Sequence, residues 1–289
     1  MRILPVPIDL SSQRRDVTPK LGGIVAITFD FGNTLVPVGR EALRRVVELT
    51  AGGVTRADPT IDRTAFLEAW AEERERQFRE NVPQFREVDL AERLVRVFAR
   101  LRGRAAPPPD GAWDQEGAAA FSTPDEIARA IDIYSRAFVD GLPPIPGVDG
   151  LLAGLAAEGR RLAILSNWPL AATIDRYAEA RGWLPALTAI VVSQRVGVIK
   201  PHAAIFAAAR AALGDPAPEA ILHVGDDWAA DIVGAAAAGW RTAWVRDRPV
   251  DSPLPSSEPS DDVRADLELA TVIELAPRLE PLGTRVATG

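Results

Sequence analysis

The sequence predicts a doubly wound, parallel α/β sheet carrying an all-α insertion, and three observations support that expectation. Short apolar runs rich in Val, Ile and Leu alternate with helix-length segments through residues 143–245, the pattern of right-handed βαβ crossovers. Residues 41–142 show helical periodicity instead, with no strand-like alternation. The apolar runs end abruptly in polar residues, as strands of an open sheet do where they deliver side chains to a crevice at their carboxyl ends.

Taken along the chain, residues 1–22, with three prolines and a polar middle, are expected to form an extended, flexible arm. Its first residues are too short and too broken by proline for a secretory signal. The core comprises residues 23–40 and 143–289. Its first strand is the β-branched run Ile24-Val25-Ala26-Ile27-Thr28-Phe29, ending in Asp30. Val36-Pro37-Val38-Gly39 then turns the chain out of the sheet, because proline and glycine suit neither a helix nor a regular strand. The helical cap, residues 41–142, holds helices over 41–50, 64–80, 89–102 and 124–140, each with apolar residues three and four apart. The proline-rich loop 107–111 interrupts it. Helices then follow over 148–158, 170–181, 203–213 and 229–238, with strands over 161–165, 189–193, 220–224 and 241–245. Residues 251–260 form a flexible linker, and residues 267–279 return as a short strand or loop plus a helix.

Composition narrows the chemistry. With 289 residues, 47% hydrophobic and 25% charged, the chain is that of an ordinary soluble globular protein, and no apolar run approaches the ~20 residues that span a bilayer. The cytoplasm is the expected location. A net charge of −7 argues against a general nucleic-acid footprint. The absence of cysteine removes disulfides, thiolate metal sites and cysteine nucleophiles, and two histidines make a zinc site improbable. Any metal must be held by oxygen, which points to Mg2+ or to manganese in its place.

The polar strand ends fall in a set order. Asp30-x-x-x-Thr34 follows the first strand, Ser166-Asn167 closes the second, Lys200-Pro201 precedes a helix, and Gly225-Asp226-Asp227-x-x-x-Asp231 follows a later strand. An aspartate ending a strand also suits the following turn, so Asp30 alone decides nothing. In this order the four motifs resemble the haloacid dehalogenase-like (HAD) hydrolase superfamily. The resemblance implies a Rossmann-like core, a cap closing over a magnesium site, and removal of a phosphoryl group from a small phosphorylated metabolite. Phosphoryl transfer to an enzyme needs a nucleophile already anionic at neutral pH, and the resemblance assigns that role to Asp30, through an aspartyl phosphate. It places Asp30, the Gly32 carbonyl, Asp226 and Asp231 at the metal, the last directly or one layer out. Thr34, Ser166, Asn167 and Lys200 complete the catalytic set. Asp227 either holds its loop or answers the dipole at a helix start.

Gly32 departs from the superfamily's phosphatases, which usually carry a second aspartate there to protonate the leaving oxygen. Acid–base groups of this kind contribute about 10²–10⁴-fold, so the site favours good leaving groups such as aryl or acyl phosphates. Asn33 stands where glycine is commoner, and asparagine tolerates the positive φ of such a turn. Dehalogenation also needs no leaving-group acid, but dehalogenases dispense with the metal carboxylates. A carbon–halogen hydrolase is therefore one alternative, and a weakly active or inactive ligand-binding relative is another. Trp168 and Trp228 are expected on loops around one crevice, either as an aromatic wall for the leaving group or as packing between cap and core. Arg40, at the exit from the core, either meets an anionic substrate or sits on the surface. A monomer or a homodimer fits equally well.

Overall fold

The computed structural model describes residues 20–108 and 111–282. Most of the expected arm and part of the 107–111 loop lie outside the described residues. Six strands form one all-parallel sheet in the order β3-β2-β1-β4-β5-β6. They are β1 (Ala26–Phe29), β2 (Arg161–Ser166), β3 (Ala189–Val192), β4 (Ile221–Gly225), β5 (Arg241–Val245) and β6 (Leu267–Leu269). The strand order reverses about β1, so the switch-point crevice opens at the carboxyl ends of β1, β2 and β4.

Alternation along the strands gives each face its own core. Ile27, Phe29, Leu162, Ile164, Leu222 and Val224 pack with α6 (Val148–Ala157) and α7 (Ala171–Ala180) on one side. Ala26, Ala163 and Leu165 pack with Ile205, Phe206 and Ala209 of α9 (Ala203–Ala212) on the other. This is the period-two consequence of a strand buried on both faces. No helix among the described residues is long and apolar enough to cross a membrane.

The insertion between β1 and β2 is helical: α1 (Arg40–Ala57), α2 (Arg63–Asn81), α3 (Leu90–Leu101), α4 (Gln115–Ala119) and α5 (Pro124–Gly141). Local chemistry sets most of its helix starts. Asp62 caps α2, Asp89 caps α3, and α5 opens with a Thr123/Glu126 capping box and proline in its first turn. Helix α1 runs seven residues beyond the expected end at Thr50, across Gly52 and Gly53. At Gly53 a Cβ would lie 2.5 Å from Ile133 Cγ2, so glycine here admits α5 against α1, and tertiary packing overrides weak helix propensity.

Three further differences matter for the site. The expected helix over 229–238 is a π-helical turn, Trp228–Val233, followed by the short α10 (Gly234–Ala237). A short helix, α8 (Ser193–Val196), takes up the end of the expected strand over 189–193. Residues 251–260, expected to be a flexible linker, are fastened to the core. The Arg40 amide donates to Asp251 Oδ2 (3.1 Å), Asn33 Nδ2 donates to Ser252 Oγ (3.1 Å), and Ser257 Oγ donates to Asp227 Oδ1 (2.8 Å).

Candidate active site

The register pairs Phe29 of β1 with both Ile164 of β2 and Val224 of β4. Residues just past these points, Asp30, Ser166 and Asp226, therefore emerge at one edge of the sheet. Lys200, from the loop after α8, reaches the same place: its Nζ donates to Asp30 Oδ1 (2.8 Å), Asp231 Oδ1 (2.6 Å) and the Leu165 carbonyl (2.9 Å). Ser166 Oγ donates to Asp30 Oδ1 at 3.2 Å. Asn167 does not touch Asp30; its amide holds the backbone of Lys200 from both sides, accepting from Lys200 N (2.7 Å) and donating to Lys200 O (3.1 Å). Thr34 is fully buried, and its Oγ1 has no hydrogen-bond partner among the described residues.

Asp231 returns to the cluster because the π-helical turn is wide. Its Oδ2 accepts from the Asp227 amide (2.9 Å), and Gly225 leaves room for it, since a Cβ there would lie 2.2 Å from Asp231 Cγ. Asp227 does not join the cluster; it caps the turn, accepting from Ala230 N. One carboxylate oxygen each from Asp30, Asp226 and Asp231 lies within 4.8 Å of the others.

The electrostatics show what such crowding costs. Burial, reinforced by Asp231 and opposed by Lys200, pushes the Asp30 carboxyl up to about 6. Burial together with Asp30 and Asp231 raises Asp226 well above the carboxylate range, with Arg248 opposing. For Lys200 burial works against the charge, but Asp231 and Asp30 outweigh it and its pKa is raised. Asp231 feels the same burial, yet Lys200 and His223 hold it below the ordinary range. One ammonium thus stabilises Asp231 but leaves Asp30 and Asp226 short of positive charge. Hard oxygen donors, converging and under-neutralised, fit a magnesium or manganese ion. Among the described residues Asp226 is engaged through Oδ2, by Asn33 Nδ2 (3.3 Å) and Arg248 (3.1 Å).

His223 escaped the sequence analysis. Burial lowers its pKa and keeps it neutral, and its Nε2 lies 3.1 Å from Asp231 Oδ1 while Nδ1 lies 2.7 Å from Thr28 Oγ1. The tautomer satisfying both contacts donates from Nε2 to Asp231 and accepts from Thr28. A histidine inside an apolar strand, three residues before Asp226, was the available signal. Arg248 and Leu254 left no comparable sign. Leu254 Cδ1 occupies the space at Gly32, 2.5 Å from where a Cβ would stand, with Trp168 Cζ3 at 3.4 Å and Val38 Cγ2 at 3.7 Å. Asn33 has φ 59°, within the left-handed region expected for it.

The two tryptophans fall in separate clusters. Trp168 packs edge-on against Phe31 (5.6 Å) and against Phe138 of α5 (5.2 Å), bridging core and insertion beside Gly32. Trp228 packs edge-on against Trp244 (5.1 Å), whose Nε1 donates to the Asp226 carbonyl (3.1 Å). Both have buried indole N–H groups with no partner among the described residues. Arg40 is exposed at the start of α1.

The switch point of the parallel sheet thus gathers Asp30, Asp226, Asp231 and Lys200 in one buried cluster. The family model for haloacid dehalogenase-like hydrolases matches residues 24–239, and the chain belongs to that family. Pyrimidine 5'-nucleotidase YjjG of Escherichia coli (strain K12) is 29% identical over 120 residues, which are 42% of this chain and 52% of the relative. Ribulose-1,5-bisphosphate 5-phosphatase of Halopiger xanaduensis is 32% identical over 120 residues, 41% of this chain and 49% of the relative. The chain thus spans about half the length of the curated relatives it matches. Among solved structures, a 2-haloacid dehalogenase from Pseudomonas syringae pv. Tomato superposes with a TM-score of 0.61 at 21% identity, over 88% of this chain and 97% of that one. The HAD-hydrolase YfnB of Bacillus subtilis, solved with magnesium, gives 0.54 at 19% identity, over 89% and 99%. These two show the fold.

Proposed function

We propose that the protein is a magnesium-dependent phosphohydrolase acting on small phosphorylated metabolites. The observation that carries this reading is the carboxylate trio Asp30, Asp226 and Asp231, gathered within 4.8 Å and only partly neutralised by Lys200. Asp30, Asp226, Asp231 and the Gly32 carbonyl would hold Mg2+, which would draw charge from the phosphoryl oxygens and cancel repulsion between them and the nucleophile. Curated relatives named as a nucleotidase and a phosphatase support the reading.

In this mechanism an Asp30 carboxylate oxygen attacks phosphorus as the bond to the leaving oxygen breaks, and water then attacks the aspartyl phosphate to release inorganic phosphate. Lys200 offsets the charge on Asp30 and is itself fixed through Asn167 and Asp231. Ser166 and the hydroxyl of Thr34, unpartnered among the described residues, donate to the transferring group. Helices α1–α5 act as the cap that excludes water, and Trp168 lines the leaving-group side from the seam between cap and core. With Trp168 and Val38 beside Gly32, that side is apolar, so aryl and acyl phosphates, whose leaving groups depart as stable anions, are the favoured substrates.

The test is hydrolysis of an aryl phosphate with and without Mg2+ by the native chain and by Asp30→Asn. Turnover that needs Mg2+ and disappears in Asp30→Asn is the expected result. No turnover of any activated phosphate refutes it. The apolar surround of Gly32 also suits halide departure, so turnover of a haloacid without metal would assign the site to carbon–halogen hydrolysis.

A further inference from the structure

The chain between β5 and β6 crosses the crevice as a strap that touches both sides of the site. Arg248 Nη1 lies 3.1 Å from Asp226 Oδ2, and the same guanidinium donates to the main-chain carbonyls of Leu254 (2.9 Å) and Pro255 (3.2 Å). Asp226 is therefore tied directly to the strap by Arg248. Ser252 accepts from Asn33, and Ser257 donates to Asp227 and accepts from the Ala229 amide at 2.6 Å. Leu254 sits in the space over Gly32. Two residues of the first motif meet the strap: Gly32 makes room for Leu254, and the Asn33 amide bridges Ser252 and Asp226.

We propose that Arg248 is a built-in counter-cation that competes with the divalent ion for Asp226, so that loading the carboxylate trio unseats Arg248 and, with it, the strap over residues 248–257. The inference rests on the reading that the trio holds a divalent cation. A guanidinium within hydrogen-bond length of one oxygen of a carboxylate repels a doubly charged ion at that carboxylate, and with its side chain 18% exposed the repulsion is only partly screened. Released from Asp226, the guanidinium no longer pins the Leu254 and Pro255 carbonyls over the site. Linkage is reciprocal: whatever seats the strap weakens the metal, and the metal loosens the strap.

The experiment measures binding of Mn2+ to the full chain by electron paramagnetic resonance of the free ion, for native protein, Arg248→Gln and Arg248→Lys. Hydrogen exchange across residues 248–257 is followed with and without Mn2+. Arg248→Gln is expected to bind Mn2+ about tenfold more tightly, Arg248→Lys, which keeps the charge, stays near native, and Mn2+ speeds exchange in the native strap. Equal or weaker binding by Arg248→Gln overturns the role of Arg248, as does strap exchange that Mn2+ leaves unchanged or slows. Failure of every variant to bind Mn2+ overturns the cation reading of the trio itself, a result distinct from equal binding.

Discussion

Replacing Lys200 with methionine tests the electrostatic account of the site, because its ammonium is shared by two of the carboxylates, Asp30 and Asp231. The side chain is 1% exposed and donates to Asp30, Asp231 and the Leu165 carbonyl. Methionine keeps much of the volume and removes the charge and all three donors. Breaking a buried ion pair by deleting one partner costs about 3–5 kcal/mol. The orphaned carboxylates can escape by protonation, and for Asp231, which Lys200 holds below the ordinary range, lifting the pKa from about 3.9 to 7 already costs about 4 kcal/mol at about 1.4 kcal/mol per unit. The two routes agree, so Lys200→Met should lose about 4 kcal/mol at neutral pH in metal-free buffer. The sign of its pH dependence follows from proton counting. The folded variant keeps a proton that the unfolded chain has released, so stability falls as pH rises. In the parent, Asp30 already takes up a proton below about 6. The gap between variant and parent should therefore widen above that pH, by about 1.4 kcal/mol per unit. Urea unfolding at about pH 5 and about pH 7.5 measures it. A penalty below about 1 kcal/mol, or one equal at both values, would refute the argument that Lys200 neutralises the cluster.

Added Mg2+ should stabilise the native chain by about 2.7 kcal/mol at a hundredfold excess over its Kd. The gain should disappear in Asp226→Asn and shrink as pH falls through about 6, where protons compete for Asp30; thermal unfolding with and without the ion reads both effects. Gly32→Asp places its Cβ 2.5 Å from Leu254 Cδ1 and should cost about 1–3 kcal/mol by overpacking. Adding Leu254→Ala should recover most of that loss, and a fully stable single variant would mean that Leu254 is not seated over Gly32. Trp168→Ala opens a cavity between Phe31 and Phe138 and should cost about 3–5 kcal/mol in equilibrium unfolding. Trp168→Phe should cost less, and unchanged substrate affinity in that variant would remove Trp168 from the leaving-group wall.

Much of the fold was legible because it depends on neighbours close in the chain. Strand runs and helical periodicity are set within a few residues, and they place β1, β2, β4, β5, α3 and α5 close to their expected positions. The order of polar strand ends likewise made Asp30, Ser166, Lys200, Asp226 and Asp231 candidates before any geometry, since a parallel sheet brings strand ends to one edge. The tertiary structure decided what depends on distant pairs. Helix α1 continues through Gly53 because α5 packs against it, and the turn at Trp228 widens into a π-helix with Asp231 packed against Gly225. His223 becomes part of the site through Asp231 and Thr28, the latter 195 residues away. The strap carried only the composition of a linker, because prolines and serines without periodicity encode no partner locally. Its contacts, such as Asn33 with Ser252 across 219 positions, exist only once the sheet has brought those loops together.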